Sequence, residues 1–225
     1  MSGLRRSFFA AAVLVGSLAA IAGTARADGV LTPGQQATEQ LFYLVLIPAM
    51  GIGILVMVLV AYAVLKFRVR PGHTEGPAYA KTHDRKIEAL WTVIPALILL
   101  FVGVVAFQTL IVTDTVPPNP DVTVLVTAQR FAWSFNITYP NGTYHANQST
   151  LTVSVGQTVK LVFQSIDVAH SFYIPAFELK IDVIPGHANV YWFKPLQAGT
   201  FEIHCAEFCG LRHFSMIALV HVLPA

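Results

Sequence analysis

The chain has 225 residues, of which 55% are hydrophobic and only 12% charged, and its formal net charge is +2 at pH 7. A small soluble domain rarely tolerates so apolar a composition, so we expect the excess to lie in membrane-spanning segments. The small positive charge belongs mainly to one short loop and therefore gives no reason to expect a nucleic-acid partner.

The first 27 residues are typical of a secretory signal peptide. Arg5 and Arg6 precede an apolar run over residues 8–22, and the sequence Ala25-Arg26-Ala27 supplies an A-x-A cleavage site. A first membrane span is the alternative, but the apolar run is short and small residues follow it at once. We therefore predict a signal peptide over residues 1–27 and export of the part that follows.

Two long apolar segments predict a transmembrane hairpin within residues 28–113. Residues 41–67 carry no charge before Lys66, and residues 87–113 carry only Glu88, so each supplies the ~20 apolar residues that cross a bilayer. Lysine and arginine are concentrated in the short loop between them, which places this loop on the cytoplasmic side. Buried helices of a soluble core are the alternative, which the length of both segments disfavours.

Short β-branched and aromatic runs, separated by turn residues, follow the stiff segment Val116–Pro120. The predicted strands are Val122–Val126, Thr150–Val155, Val159–Phe163, Asn189–Phe193 and Phe214–Val222. Many short strands at such spacing are typical of a β-sandwich or a Greek-key barrel. The chain is thus predicted to be a membrane-anchored all-β protein, with its β domain over residues 114–225.

One stretch near the C-terminus, residues 204–216, holds both cysteines, two of the eight histidines and one of the four methionines. Thiolates and a thioether beside an imidazole favour copper over magnesium or calcium. A thioether is an unusual zinc ligand, and a mononuclear blue-copper site needs only one cysteine. Two thiolates suit two coppers bridged by sulfur. A disulfide between Cys205 and Cys209 is the alternative that an exported protein allows, but it explains neither His213 nor Met216.

The pattern Cys205-x-Glu207-x-Cys209-Gly210-x2-His213-x2-Met216 resembles the copper A loop of the cytochrome c oxidase subunit II family. Residues 167–171 resemble the family segment that carries the remaining histidine ligand, and residues 179–186 resemble the stretch that follows it. The resemblance implies a cupredoxin-like domain with a dinuclear copper A centre. Its implied ligands are His170, Cys205, Cys209, His213, Met216 and the backbone carbonyl of Glu207.

The resemblance also assigns roles outside the copper ligands. It implies a magnesium or manganese site at the boundary with subunit I, to which the side chain of Glu207 would contribute. An acidic residue at the position of Glu88 lies at the mouth of a proton pathway in the family. A helix-start carboxylate, favoured by the helix dipole, is an equally good interpretation of Glu88.

Two aromatic positions bear on electron entry. Many family members carry an exposed tryptophan, where cytochrome c delivers its electron, at the position that Phe131 occupies here. Trp133 matches a second tryptophan of the family. Strand alternation would place residues 131 and 133 on one face, so periodicity leaves surface contact and core packing open, and for Trp133 we favour the core.

The functional prediction is the electron-entry subunit of a terminal respiratory oxidase in a bacterial inner membrane, with the copper domain on the periplasmic side. The resemblance implies electron transfer from cytochrome c to haem in subunit I, where oxygen is reduced to water with proton translocation. The partners would be subunit I, the other oxidase subunits, cytochrome c and the membrane, and no catalytic residue for oxygen reduction is expected in this chain. The alternative is a membrane-tethered periplasmic copper-binding or copper-delivery protein.

Overall fold

The computed structural model describes residues 31–68, residue 72 and residues 83–225. The predicted signal peptide lies outside the described residues, as does most of the loop between the two apolar segments.

Two long helices form the N-terminal part of the described chain. Helix α1 spans Pro33–Phe67 and helix α2 spans Arg85–Asp114. The mean hydropathy over an 18-residue window reaches 2.8 in α1 and 2.6 in α2. Both include the predicted spans and extend beyond them. At about 1.5 Å per residue, each is longer than the roughly 30 Å hydrocarbon core of a bilayer. The helices therefore have the length and composition of a membrane anchor.

The start of helix α1 packs on the β domain. Thr32 caps α1 by accepting a hydrogen bond from the backbone N–H of Gln35, and both side chains are buried. The backbone N–H of Leu196 donates to the carbonyl of the buried Leu31 at 2.9 Å. These contacts tie the start of α1 to the domain that carries the candidate site.

In the part of the chain that the structure describes, ten strands form two five-stranded sheets, with orders β3-β2-β1-β5-β8 and β4-β10-β9-β6-β7. Strands β1 and β5 pair in parallel, as do β4 and β10, while the remaining neighbours pair antiparallel. The strands are β1 Val122–Gln129, β2 Ala132–Thr138, β3 Tyr144–Gln148, β4 Thr150–Ser154, β5 Val159–Ser165, β6 His170–Ile174, β7 Leu179–Val183, β8 Asn189–Phe193, β9 Gly199–Cys205 and β10 Ile217–Leu223. This arrangement confirms the predicted membrane-anchored β-sandwich.

Alternation of side chains along the strands produces the core between the sheets. In β1 every second residue, from Val122 to Ala128, is buried, and in β10 the same holds from Ala218 to Val222. Aromatic rings fill the centre, where Phe172 lies 5.2 Å from Phe163 and 5.3 Å from Trp133 between ring centroids. Apolar burial of this kind is the main stabilising term for such a domain.

Four of the five predicted strands differ from the observed strands at one or both ends, and only Asn189–Phe193 matches. The strand expected from Phe214 begins at Ile217, because residues 213–215 form a 3-10 turn whose Ser215 N–H donates to the Arg212 carbonyl. Phe131 lies in the turn between β1 and β2, and the strand begins one residue later. Simple alternation therefore does not apply to the pair 131 and 133.

Candidate metal centre

The cysteine loop occupies residues 206–216 and joins two neighbouring antiparallel strands, β9 and β10. Its base is closed where the backbone N–H of Cys205 donates to the Met216 carbonyl at 3.2 Å. A second bond, from the N–H of Ala206 to the carbonyl of Ser171 at 2.8 Å, ties the loop to β6. These bonds hold the two ends of the loop together and also attach the loop to β6.

The distant histidine reaches the loop through strand periodicity. His170 opens β6, and its side chain shares the buried face of that strand with Phe172 and Ile174. Because every second residue of a strand points to the same face, His170 projects into the end of the core. It is completely buried, and its ring packs at 6.1 Å from Trp133.

Two thiols and two imidazole nitrogens converge at this end of the sandwich. The sulfurs of Cys205 and Cys209 are 3.9 Å apart. The Nδ1 atom of His170 lies 3.7 Å from the Cys205 sulfur, and the Nδ1 atom of His213 lies 3.6 Å from the Cys209 sulfur. Each thiol thus has one imidazole beside it.

Two weaker donors complete the cluster. The thioether of Met216, which is fully buried, lies 3.9 Å from the Cys209 sulfur. The backbone carbonyl of Glu207 lies 3.2 Å from the Cys205 sulfur, while the Glu207 residue is exposed. The structure therefore brings together all six predicted ligand positions, although they come from separate parts of the chain.

The donor set fits soft metal ions in its chemistry and in its spacing. Metal bonds of about 2.3 Å to sulfur and about 2.0–2.1 Å to nitrogen, as in zinc sites, let one ion contact both members of a pair 3.6–3.9 Å apart. The sulfur–sulfur distance far exceeds the roughly 2.05 Å of a disulfide, and both cysteines are free thiols. Two thiols, two imidazoles and a thioether match the preferences of copper.

The protonated thiol of Cys209 makes metal binding a proton-releasing step. Burial and the neighbouring Cys205 together raise the pKa of the Cys209 thiol to about 11. The metal-free site therefore holds a protonated Cys209 at neutral pH. A bound metal must displace this proton, since the thiolate is the form that coordinates.

An acidic residue orients His170, and reasoning from the sequence did not single it out. The carboxylate of Asp167 contacts Nε2 of His170 through Oδ1 at 2.9 Å, which leaves Nδ1 facing Cys205. Its Oδ2 atom accepts from the backbone N–H of Arg130 at 2.8 Å and from the Arg130 Nε at 3.1 Å. The three-residue spacing from Asp167 to His170 was a visible signal, because metal-bound histidines commonly donate to a carboxylate.

The pKa of Asp167 reflects opposing effects. Burial raises this pKa, but hydrogen bonds from His170, from the backbone N–H groups of Arg130 and Val168 and from the Arg130 side chain lower it more strongly. The net result is a pKa well below the ordinary value of 3.8. Asp167 is therefore ionised throughout the physiological range.

Phe131 packs directly on the cysteine loop. A Cβ placed on Gly210 would lie 3.2 Å from two ring carbons of Phe131, and Gly210 has a φ of +134°. Both facts favour glycine, which has no Cβ and tolerates positive φ. The half-buried ring of Phe131 thus lies next to the residue that follows Cys209.

The remaining predicted positions separate into two groups. Trp133 is buried on β2 against Phe172, which agrees with the core interpretation. Glu88 lies in the first turn of α2, where its carboxylate accepts from the backbone N–H of Asp84 at 3.2 Å. This contact is a helix-capping interaction, and the proton-pathway interpretation of Glu88 stays a prediction.

Comparisons with known proteins give a consistent family relationship. The family described as cytochrome c oxidase subunit II matches twice, through its transmembrane domain over residues 28–109 and its periplasmic domain over residues 141–223. Cytochrome c oxidase subunit 2 of Alkalihalophilus pseudofirmus is 33% identical over 187 residues, which are 76% of this chain and 54% of that protein. The chain thus spans about half the length of this relative.

A second relative and one solved structure are also similar to this chain. Cytochrome c oxidase subunit 2 of Cereibacter sphaeroides is 29% identical over 219 residues, covering 81% of this chain and 70% of that protein. Among solved structures, the periplasmic domain of subunit II of cytochrome oxidase from Bradyrhizobium japonicum is 30% identical, with a TM-score of 0.43. That match covers 49% of this chain and 88% of the other.

The ionised Asp167 predicts a pH-dependent contribution to stability. We expect Asp167→Asn to lower the free energy of unfolding of the metal-free protein by about 2 kcal/mol at pH 7, because charged hydrogen bonds are lost. A group with a lowered pKa stabilises the fold above its unfolded value and loses this effect as pH falls. The loss of unfolding free energy in Asp167→Asn should therefore become smaller below pH 3.8, which is the ordinary pKa of an aspartate. Thermal melts across this range, with the exposed Asp182→Asn as the control, measure it, and a deficit independent of pH would contradict it.

Proposed function

Because the chain belongs to the cytochrome c oxidase subunit II family, we propose that it is the electron-entry subunit of a terminal respiratory oxidase. The observation that carries the proposal is the convergence of two thiols, two imidazole Nδ1 atoms, a thioether and a main-chain carbonyl at one end of the sandwich. A copper pair held there by Cys205, Cys209, His170, His213 and Met216 would supply a one-electron carrier.

The chain's own residues support fast electron transfer by limiting movement and water access. Four of the donors are buried, namely His170, Cys205, Cys209 and Met216. The bond from Cys205 to Met216 closes the loop, and Asp167 fixes the ring of His170. A site held in this way rearranges little when its charge changes, which lowers the barrier to transfer.

The same burial bears on the alternative, a membrane-tethered copper-delivery protein. A delivery site should be open, so that the metal exchanges readily with a partner. Here Met216 and His170 are completely buried and only His213 is partly exposed among the side-chain donors. Retention of copper rather than delivery is the better interpretation of such a site.

The proposed location and partners follow from the family relationship. The two apolar helices and the matched transmembrane domain anchor the chain in a membrane. We place the β domain on the periplasmic side of a bacterial inner membrane, since the matched family describes it as periplasmic. The donor would be a cytochrome c, and the acceptor a haem in subunit I, where oxygen reduction and proton translocation would take place.

Electron entry is proposed at Phe131. Its ring contacts the Gly210 position of the cysteine loop, one residue from Cys209, and part of it remains exposed. A brief encounter with a haem protein needs close approach more than a large interface, and a flat ring beside a ligand loop provides such an approach. Trp133, by contrast, lies inside the sandwich and supports His170 from the core side.

Glu207 is proposed to serve two metals through different atoms. Its carbonyl lies at the Cys205 sulfur, while its carboxylate belongs to an exposed residue. A carboxylate oxygen suits a hard cation such as magnesium or manganese, which usually keeps several waters and takes few protein ligands. The remaining ligands would come from subunit I, so this second site would exist only in the assembled oxidase.

Replacing individual sulfur donors tests the copper assignment. We expect Cys209→Ser to abolish binding of the copper pair, because the site would lose one of its two thiolate ligands. Met216→Leu should leave copper bound with an altered reduction potential, because a thioether is a weak ligand whose replacement keeps the volume. Copper analysis and redox titration of both purified variants distinguish these effects. Two coppers retained in Cys209→Ser would show that Cys209 is not needed as a copper ligand.

Electron entry is tested with the two aromatic residues. Phe131→Ala should slow the oxidation of cytochrome c at low ionic strength while the copper spectrum stays unchanged. Trp133→Ala should instead lower the free energy of unfolding by about 3–5 kcal/mol, because it leaves a cavity in the core. Stopped-flow kinetics and thermal melts on both variants, with the exposed Tyr144→Ala as a control, separate these roles. Unchanged entry in Phe131→Ala would remove that residue from the route.

The two roles of Glu207 are separable by a conservative change. Glu207→Gln should spare the copper pair, whose contact there is the main-chain carbonyl. It should weaken magnesium or manganese binding, because the charged carboxylate becomes a neutral amide. Metal analysis of the assembled complex measures both metals at once, and simultaneous loss of both would mean that the side chain supports copper.

A further inference from the structure

Arg130 contacts Asp167 and lies close to two other parts of the candidate site, the cysteine loop and Phe131. Its backbone N–H and its Nε atom both donate to Oδ2 of Asp167, at 2.8 and 3.1 Å. Its Cδ atom lies 3.7 Å from where a Cβ on Gly210 would stand. It also precedes Phe131, whose ring covers the same glycine. One side chain therefore links the turn after β1 to the acidic partner of His170 and to the cysteine loop.

The two oxygens of Asp167 have different partners. Oδ2 is taken by Arg130, while Oδ1 accepts from the backbone N–H of Val168 at 2.7 Å and contacts Nε2 of His170 at 2.9 Å. A carboxylate that accepts from a ligand imidazole makes the imidazole a stronger donor to the metal. A guanidinium on the same carboxylate withdraws charge from it. Arg130 is thus placed to moderate how strongly Asp167 acts on His170.

We propose that Arg130 is a positioning residue that sets the reduction potential of the metal centre through the Asp167–His170 pair. This inference rests on the proposed function, since it requires a redox-active metal at the site. It assigns to Arg130 an electrostatic role in addition to holding the turn that carries Phe131.

The sign of the effect follows from charge. Loss of one electron adds one positive charge to the metal centre, so a nearby cation disfavours the oxidised form and raises the potential. Removing the Arg130 guanidinium takes away that cation and also leaves the Asp167 carboxylate less neutralised beside His170. Both changes favour the oxidised form. They therefore act in the same direction and lower the potential.

A single substitution can remove the charge of Arg130 while the turn that contains it keeps its position. The backbone N–H of residue 130 donates to Asp167 whichever side chain is present, so Arg130→Gln keeps one of the two anchoring bonds. Arg130 is half exposed, with 50% of its side chain accessible, and solvent absorbs part of the change in packing. We expect this variant to fold and to bind metal, with only the charge and the Nε bond lost.

The experiment is a redox titration of the copper-loaded, full-length protein, followed by its visible absorption. It compares the wild type with R130Q, D167N, the double variant R130Q/D167N and the control R212Q, which removes an exposed arginine of the cysteine loop. R130Q should lower the potential and D167N should raise it. The shift caused by R130Q should be larger than that of R212Q and should become smaller in the D167N background, because the two residues act through one contact.

Three results would overturn the inference: a rise or no change of the potential in R130Q, equal shifts in R130Q and R212Q, or strictly additive shifts in the double variant. Thermal melts of the metal-free wild type, R130Q, D167N and R130Q/D167N form a double-mutant cycle. This cycle measures the coupling energy between Arg130 and Asp167 independently of copper. Absence of a copper pair in the wild type would instead overturn the proposed function. Failure of the function and failure of the inference are therefore distinguishable.

Discussion

The structure around the candidate site depends on one constraint, which is that two thiols lie 3.9 Å apart at the end of a β-sandwich. Bringing soft donors together in a dry site has a cost, because buried polar groups lose their contacts with water. Hydrogen bonds between the loop and the neighbouring strands offset part of this cost. The bonds from Cys205 to Met216 and from Ala206 to Ser171 fix where the loop begins and ends, and the metal would supply the remaining stabilisation.

The ligand loop could be predicted from the sequence because its donors lie within twelve residues of one another, so residue type and spacing carry the chemistry. His170 was different, since it lies 35 residues before Cys205 and only a family resemblance connected them. The sandwich and the apolar spans also followed from local pattern. The ends of the strands could not be predicted from local pattern, because the 3-10 turn at residues 213–215 and the turn at Phe131 depend on contacts of the cysteine loop.

The contact between Arg130 and Asp167 could not be read from local pattern at all. The two residues are 37 positions apart, and they meet because β1 and β5 pair in parallel with Ala128 opposite Ser165. That register brings the turn after β1 to the residues that follow β5. Such long-range register is a property of the whole sheet. Asp167 could therefore be noticed beside His170 in the sequence, but its partner Arg130 could not.

In the proposed function, His170 and the cysteine loop hold two coppers that share one electron. Electron paramagnetic resonance of the oxidised protein, purified from its native host together with a copper and zinc analysis, tests it most directly. We expect hyperfine coupling of one unpaired electron to two equivalent copper nuclei, with two coppers per chain, because two thiols and two imidazoles provide for a symmetric pair. A hyperfine pattern from a single copper nucleus, or stoichiometric zinc in place of copper, would contradict it.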